Sequence, residues 1–158
     1  MEALTRMATQ QQSDALASAA AGDEIAFQHI ITAHHEDMRR VCLAISGDHA
    51  IADEAVQGAW VIAWKKLHKV KGPSHLRPWL IAVAVNEAKK LLSRRRRRAE
   101  VEVAADASGE PGGIDPATGV AAVDLRAAIS QLDPDDAALL AMRYVAGFNS
   151  NELAAATG

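Results

Sequence analysis

The side chains with chemistry to offer in this chain are mostly cations, and they are concentrated in one stretch. From Lys65 to Arg98 there are 12 Lys and Arg against 1 acid, a balance of +11 inside a chain whose net charge is −3. The blocks on either side are acidic, −6 from Met1 to Trp64 and −8 from Ala99 to Gly158. Charge of one sign at that density repels itself unless a polyanion or an acidic partner faces it. The chemistry implied is phosphate binding, with nucleic acid as the first candidate. Its carriers are Lys69 and Lys71, then Lys89 and Lys90, and the run Arg94, Arg95, Arg96, Arg97 and Arg98. A second constellation precedes them: Asp53, Glu54 and Gln57 lie within five residues. On a helix they make a compact acidic and amide patch, suited to a basic helical partner or simply solvated.

Other chemistries lack residues to rest on. Of the six histidines, His34 and His35 stand beside Glu36 and Asp37. Neighbours on a helix point about 100° apart, so the two imidazoles cannot chelate together, and no histidine pair at i, i+4 supports a metal site. The single cysteine, Cys42, lies among apolar residues, which excludes a disulfide framework and a thiolate zinc cluster. There is no glycine-rich phosphate loop, nucleophile elbow or paired-carboxylate arrangement. The reading is a protein that is not an enzyme and carries no cofactor or metal.

The elements that must position these groups are helices. Ala and Leu are abundant, aromatics make up 4%, and no stretch alternates apolar and polar residues as a half-buried strand does. Phe27, Ile30, Ile31, Met38, Val41, Cys42 and Ile45 recur at spacings of three and four, predicting one helix from Asp23 to Ser46 that ends at Gly47 and Asp48. A second is predicted from about His49 to His68, with Ala52, Ala55, Val56, Ala59, Trp60, Ala63 and Leu67 inward. Lys69 to Pro73 reads as a basic loop, and Ser74 as the N-cap of a third helix that buries Leu76, Trp79, Leu80, Val83 and Leu91 and runs out through the arginines. Ala99 to Ala122, with Pro111, Gly112, Gly113, Pro116 and Gly119 among acids, reads as a flexible linker. Leu125, Ala128, Ile129 and Leu132 mark a short helix beyond it. Asp133 and Pro134 open another through Val145, and Asn149 with Glu152 has the spacing of a capping box for a last one. The domains expected are thus a helical bundle over 1–98, a linker over 99–121 and a smaller helical unit over 122–158.

Three of these segments together resemble the extracytoplasmic-function sigma factors of bacterial RNA polymerase. The run Ala52 to Trp60 resembles their polymerase-binding helix, with its acidic pair, glutamine and aromatic. His75 to Arg98 is similar to their promoter-melting helix, with Trp79, Leu80, Asn86 and an arginine tail. Leu132 to Gly158, with Tyr144, Gly147, Glu152, Leu153 and Ala154, resembles the start of their second, helix-turn-helix domain. The fold implied is an all-α bundle of the sigma region 2 type plus part of a region 4 type helix-turn-helix. The function implied is binding of core polymerase and recognition and melting of the minus-ten promoter element.

The resemblance also distributes roles. Asp53, Glu54, Gln57 and Trp60 are implied to face the clamp coiled coil of the polymerase's largest subunit. Lys69, Val70, Lys71, Gly72, Ser74 and His75 are implied to line a pocket for an extruded base, with Asn86 on the melted strand and Lys89, Lys90 and Arg94 to Arg98 on its phosphates. Backbone contacts by cations and base contacts by an amide are the usual division of labour on a single strand. An anti-sigma protein is a further partner the family implies. Two residues depart from the pattern: Gly58 stands where a carboxylate is usual, and Lys90 where an acid is frequent. The sequence also stops at the turn after the first helix of the helix-turn-helix, so no recognition helix is expected in it. Two rivals stay open, a helical adaptor with nonspecific nucleic-acid contact through the arginine tail, and a regulator that mimics a sigma factor. Without a secretory signal pattern at the N-terminus or an apolar run of about twenty residues, the setting expected is cytoplasmic.

Overall fold

The structure, a computed structural model, describes residues 1–104, 128–129 and 131–157, and every assigned element among them is helical. Helix α1, Glu2–Ala20, was not foreshadowed by any apolar period. Its Ala, Gln and Leu content favours helix on propensity alone, and it buries only Leu16 and Ala19. Helix α2, Glu24–Ser46, starts where the Asp23 carboxylate accepts from the Ile25 and Ala26 amides, and stops at Gly47, whose φ of 64° is left-handed. Helix α3, His49–Lys66, is capped in the same way by Asp48, and a 3-10 turn, Leu67–Lys69, finishes it.

Helix α4, Pro73–Val103, departs from expectation at both ends. Gly72, at φ 105°, holds the N-cap position and Pro73 is the first helical residue, so Ser74 lies inside the helix and does not cap it. Proline suits that place because its φ is already helical and its missing N–H would have no partner there. At the other end the helix continues five residues past Arg98, so the linker drawn from Ala99 begins as helix. No glycine or proline interrupts the chain there. Residues 105–121 of that linker lie outside the described residues, as does Leu125.

The apolar faces of α2, α3 and α4 meet in one core, with Met38, Cys42, Val56, Leu80 and Ile81 at most 1% exposed. Alanines at 52, 55, 59 and 63 give α3 a nearly flat inner face and let its neighbours approach closely. All seven apolar residues predicted for α2 are buried or, for Ile31, partly buried; Trp79, Val83 and Leu91 on α4 are partly buried.

The C-terminal segment has the expected caps. Helix α5, Pro134–Leu140, is capped by Asp133 and continues as a π-helical turn, Ala141–Val145. The reciprocal box before α6, Ser150–Thr157, is complete: Asn149 N donates to Glu152 Oε2 at 2.8 Å and Glu152 N donates to Asn149 Oδ1 at 2.9 Å. Its buried residues, Ala137, Ala138, Met142 and Phe148 among them, are continuous with the core of the bundle. The segment lies across α2 and α4.

Candidate functional site

Two surfaces emerge, one on α3 and one on α4, braced by the same core. On α3, Asp53, Glu54 and Gln57 are all exposed, as the spacing predicts. Asp53 is held from α2, with Arg39 Nε donating to its Oδ1 at 2.7 Å. That hydrogen bond, followed by the attraction of the carboxylate, raises the Arg39 guanidinium above its ordinary value. Arg39 Nη2 also meets His49 Nδ1 at 3.0 Å, so the first turn of α3 is tied to α2 beside the patch.

Trp60 does not share that surface. It is 9% exposed, edge-on to Phe27 at 5.8 Å, and its indole N–H donates to His35 Nδ1 at 3.1 Å. Three residues after Gln57, it has turned about 60° short of a full circuit, which is enough to carry it into the core. Its part is to seat α3, and it also gives His35 a structural duty. Positions 54, 57, 61 and 64 form the outward stripe, on which Val61 and Trp64 are 58% and 41% exposed. The spacing of three and four that fixed the inner stripe could have found this outer one too.

Gly58 faces α4. A Cβ there would lie 3.2 Å from Glu87 Oε2, so the missing side chain makes room for a carboxylate delivered by the neighbouring helix. Glu87 in turn pairs with Lys90 Nζ at 2.8 Å, which gives the second departure from the family pattern a local partner.

On α4, Asn86, Lys89, Lys90, Ser93, Arg94 and Arg97 line one side of an open cleft of about 580 Å³. Their spacing of three and four makes them a single stripe. Ser93 was not anticipated. The five arginines do not act together, because successive residues fan out around the helix: Arg95 turns back to Asp48 at 3.2 Å, while Arg96 reaches the carbonyl of Leu132 at 2.9 Å. Among the described residues Arg94, Arg97 and Arg98 have no ion-pair partner.

The loop residues sit apart from Asn86. Lys69 ends the 3-10 turn, Lys71 is exposed, Ser74 Oγ and His75 Nδ1 are 3.4 Å apart, and neither lines the cleft. His75 and Asn86, eleven residues or three turns apart, share a side of α4 at a separation of roughly 16 Å. A strand lying along the helix would meet both, whereas one nucleotide would not.

Arg77 is the residue that the sequence did not single out. Its Nε donates to Asp37 Oδ2 at 3.0 Å and its Nη1 to the Ala146 carbonyl at 3.0 Å, joining α4, α2 and the C-terminal segment. Partial burial lowers the imidazole of His34 below its ordinary value; Asp37 opposes that shift and Arg77 adds to it. Among the described residues no group of three or more His, Cys, Asp or Glu is placed to hold a metal, and no helix is long and apolar enough to cross a membrane.

A family model described as Sigma-70 region 2 matches residues 30–98. Those 69 of the chain's 158 residues are similar to sigma-70 region 2. The match opens in α2 and closes at Arg98, so both surfaces fall inside the matched stretch. The chain is also similar to a protein of Xanthomonas campestris pv. campestris named "Probable RNA polymerase sigma factor RfaY", 30% identical over 152 residues, with 90% of this chain and 38% of that protein covered. The chain therefore spans well under half the length of that relative. Both findings support the resemblance to an extracytoplasmic-function sigma factor, and the all-α fold is the one it implies.

Proposed function

We propose that this chain works in transcription initiation, binding core RNA polymerase through α3 and holding the melted strand of the minus-ten element along α4. The observation that carries this reading is the pairing of opposite surfaces on one rigid core within a region 2 match. Asp53, Glu54 and Gln57 present acids and an amide to a basic helical partner, the clamp coiled coil of the largest subunit. On the same core, α4 presents amide, hydroxyl and cations in one stripe, the set of donors that a single strand requires. The loop from Lys69 to His75 is the place for an extruded base, and the segment from Asp133 onward is the beginning of a region 4 type helix-turn-helix. An anti-sigma protein that covered either surface would silence it, and the setting is the cytoplasm, where the polymerase is.

Copurification with core polymerase tests the reading. The chain should elute with core enzyme on gel filtration, and Asp53→Ala with Gln57→Ala should shift it to the free position while its circular dichroism stays unchanged. Elution of the folded wild-type chain apart from core enzyme at micromolar concentrations would refute polymerase binding. A complex that captured matched and scrambled strands equally would leave nonspecific adhesion in place of promoter recognition.

A further inference from the structure

The wall of the cleft that faces α4 is acidic, formed by Asp133, Pro134 and Asp135. Lys89 Nζ meets Asp135 Oδ1 at 2.8 Å, Arg96 Nη1 meets Asp133 Oδ1 at 3.7 Å, and Arg96 Nη2 donates to the Leu132 carbonyl at 2.9 Å. Oxygen acceptors at the start of α5 and just before it thus sit on the cations to which a phosphate backbone would bind. The far end of the segment is fastened by Arg77 on the Ala146 carbonyl and by the fully buried Phe148. Within the ion pairs Asp135 is 72% and Asp133 62% exposed, so each is individually weak and screened by salt. The seat is apolar and stable at the Phe148 end, and electrostatic and exchangeable at the cleft.

We propose that the segment from Leu132 to Leu140 is a built-in competitor of single-stranded DNA, with Asp133 and Asp135 standing in the places of two phosphates. The inference rests on the reading of α4 as the strand-binding face and adds to it a closed state of the free chain. A strand that brings several phosphates displaces the two carboxylates, and a partner that draws the segment away opens the cleft. By linkage, whatever binds the open state loosens the segment, and whatever loosens the segment tightens strand binding to the same extent.

The test uses the whole chain and a fluorescein-labelled single-stranded oligodeoxynucleotide of mixed sequence, with anisotropy at low salt. The variant is Asp133→Asn with Asp135→Asn, because asparagine keeps the helix cap while removing the charge. Its affinity should rise about three- to tenfold, the combined worth of two exposed ion pairs. A control of equal charge, Asp136→Asn with Glu152→Gln, should move affinity less than twofold, separating loss of the two contacts from loss of net negative charge. Hydrogen exchange on the wild-type chain gives a second readout that needs no variant: saturating oligonucleotide should speed exchange of the amides from Asp135 to Leu140.

Equal affinity of wild type and variant, with those amides equally protected in the presence of the strand, would overturn the competitor while leaving strand binding intact. A variant whose amides exchange freely and which still binds no oligonucleotide would overturn the strand-binding face itself, and the competitor with it.

Discussion

Arg95 and Arg97 are two residues apart and about 200° apart around α4, which makes them a sharp test of which side of the helix meets DNA. Arg95 is turned to Asp48, whereas Arg97 lines the cleft with Lys89, Lys90 and Arg94. If each of those four cations neutralises one phosphate of a single strand, while Arg96, the fifth cation of the cleft, stays on the Leu132 carbonyl, log affinity should fall against log salt with a slope of about −2.8, since each phosphate on a single strand contributes about −0.7. Between about 50 and about 200 mM salt that slope is a loss of about fiftyfold. Arg97→Gln should reduce the slope to about −2.1 and the loss to about eighteenfold, equally for matched and scrambled strands. Arg95→Gln should leave the slope unchanged. The assay is anisotropy of a labelled strand bound by the chain in complex with core polymerase. There the polymerase's own contacts cancel between variants. Equal flattening by the two substitutions would mean that the arginine tail has no preferred side and acts as a diffuse electrostatic collar.

Asn86→Ala should leave the salt slope of the complex unchanged and narrow its preference for a matched over a scrambled strand, because base contacts carry specificity and phosphate contacts do not; an unchanged preference would remove Asn86 from base reading. Gly58→Ala should stabilise α3 by somewhat under about 1 kcal/mol, the propensity gain less the small displacement of the flexible Glu87 carboxylate; a lowered melting temperature would show that Glu87 cannot move aside. Burial holds His34 below the ordinary imidazole value, so the unfolded chain takes up its proton first as pH falls. The stability this residue contributes is therefore complete above about pH 6.5 and is lost as pH falls through the lowered value, and His34→Gln should flatten the decline; parallel pH profiles for the two proteins would refute it. Burial pushes the Cys42 thiol up to about 12, so it should react with thiol reagents only as fast as the bundle opens, and reaction at the rate of a free thiol would place it outside the core.

The elements and surfaces of this protein were legible in the sequence to the extent that they depend on local rules. Apolar residues three and four apart gave α2, α3 and α4 their inner faces, because a helix repeats every 3.6 residues wherever it occurs. Asp133 with Pro134, and Asn149 with Glu152, marked helix starts because a cap is a contact within one turn. The imbalance of charge marked the cationic stretch that carries the proposed strand-binding face, without any knowledge of the fold.

What depended on distant residues could not be read in this way. The arginine run looked like one cationic tail, and only the placement of Asp48 and Leu132 beside α4 divided it into inward and outward side chains. Trp60 carried the motif of a binding residue, but the position of Phe27 and His35 on α2 made it part of the core. Gly58 read as a missing carboxylate until α4 brought Glu87 over it. Arg77 had no distinguishing neighbour in sequence, since its partners are 40 and 69 residues away. Local periodicity assigns a side chain to a face of its own helix; which groups that face meets is decided when the helices pack, because only then are charges far apart in the chain brought within a few ångströms of each other.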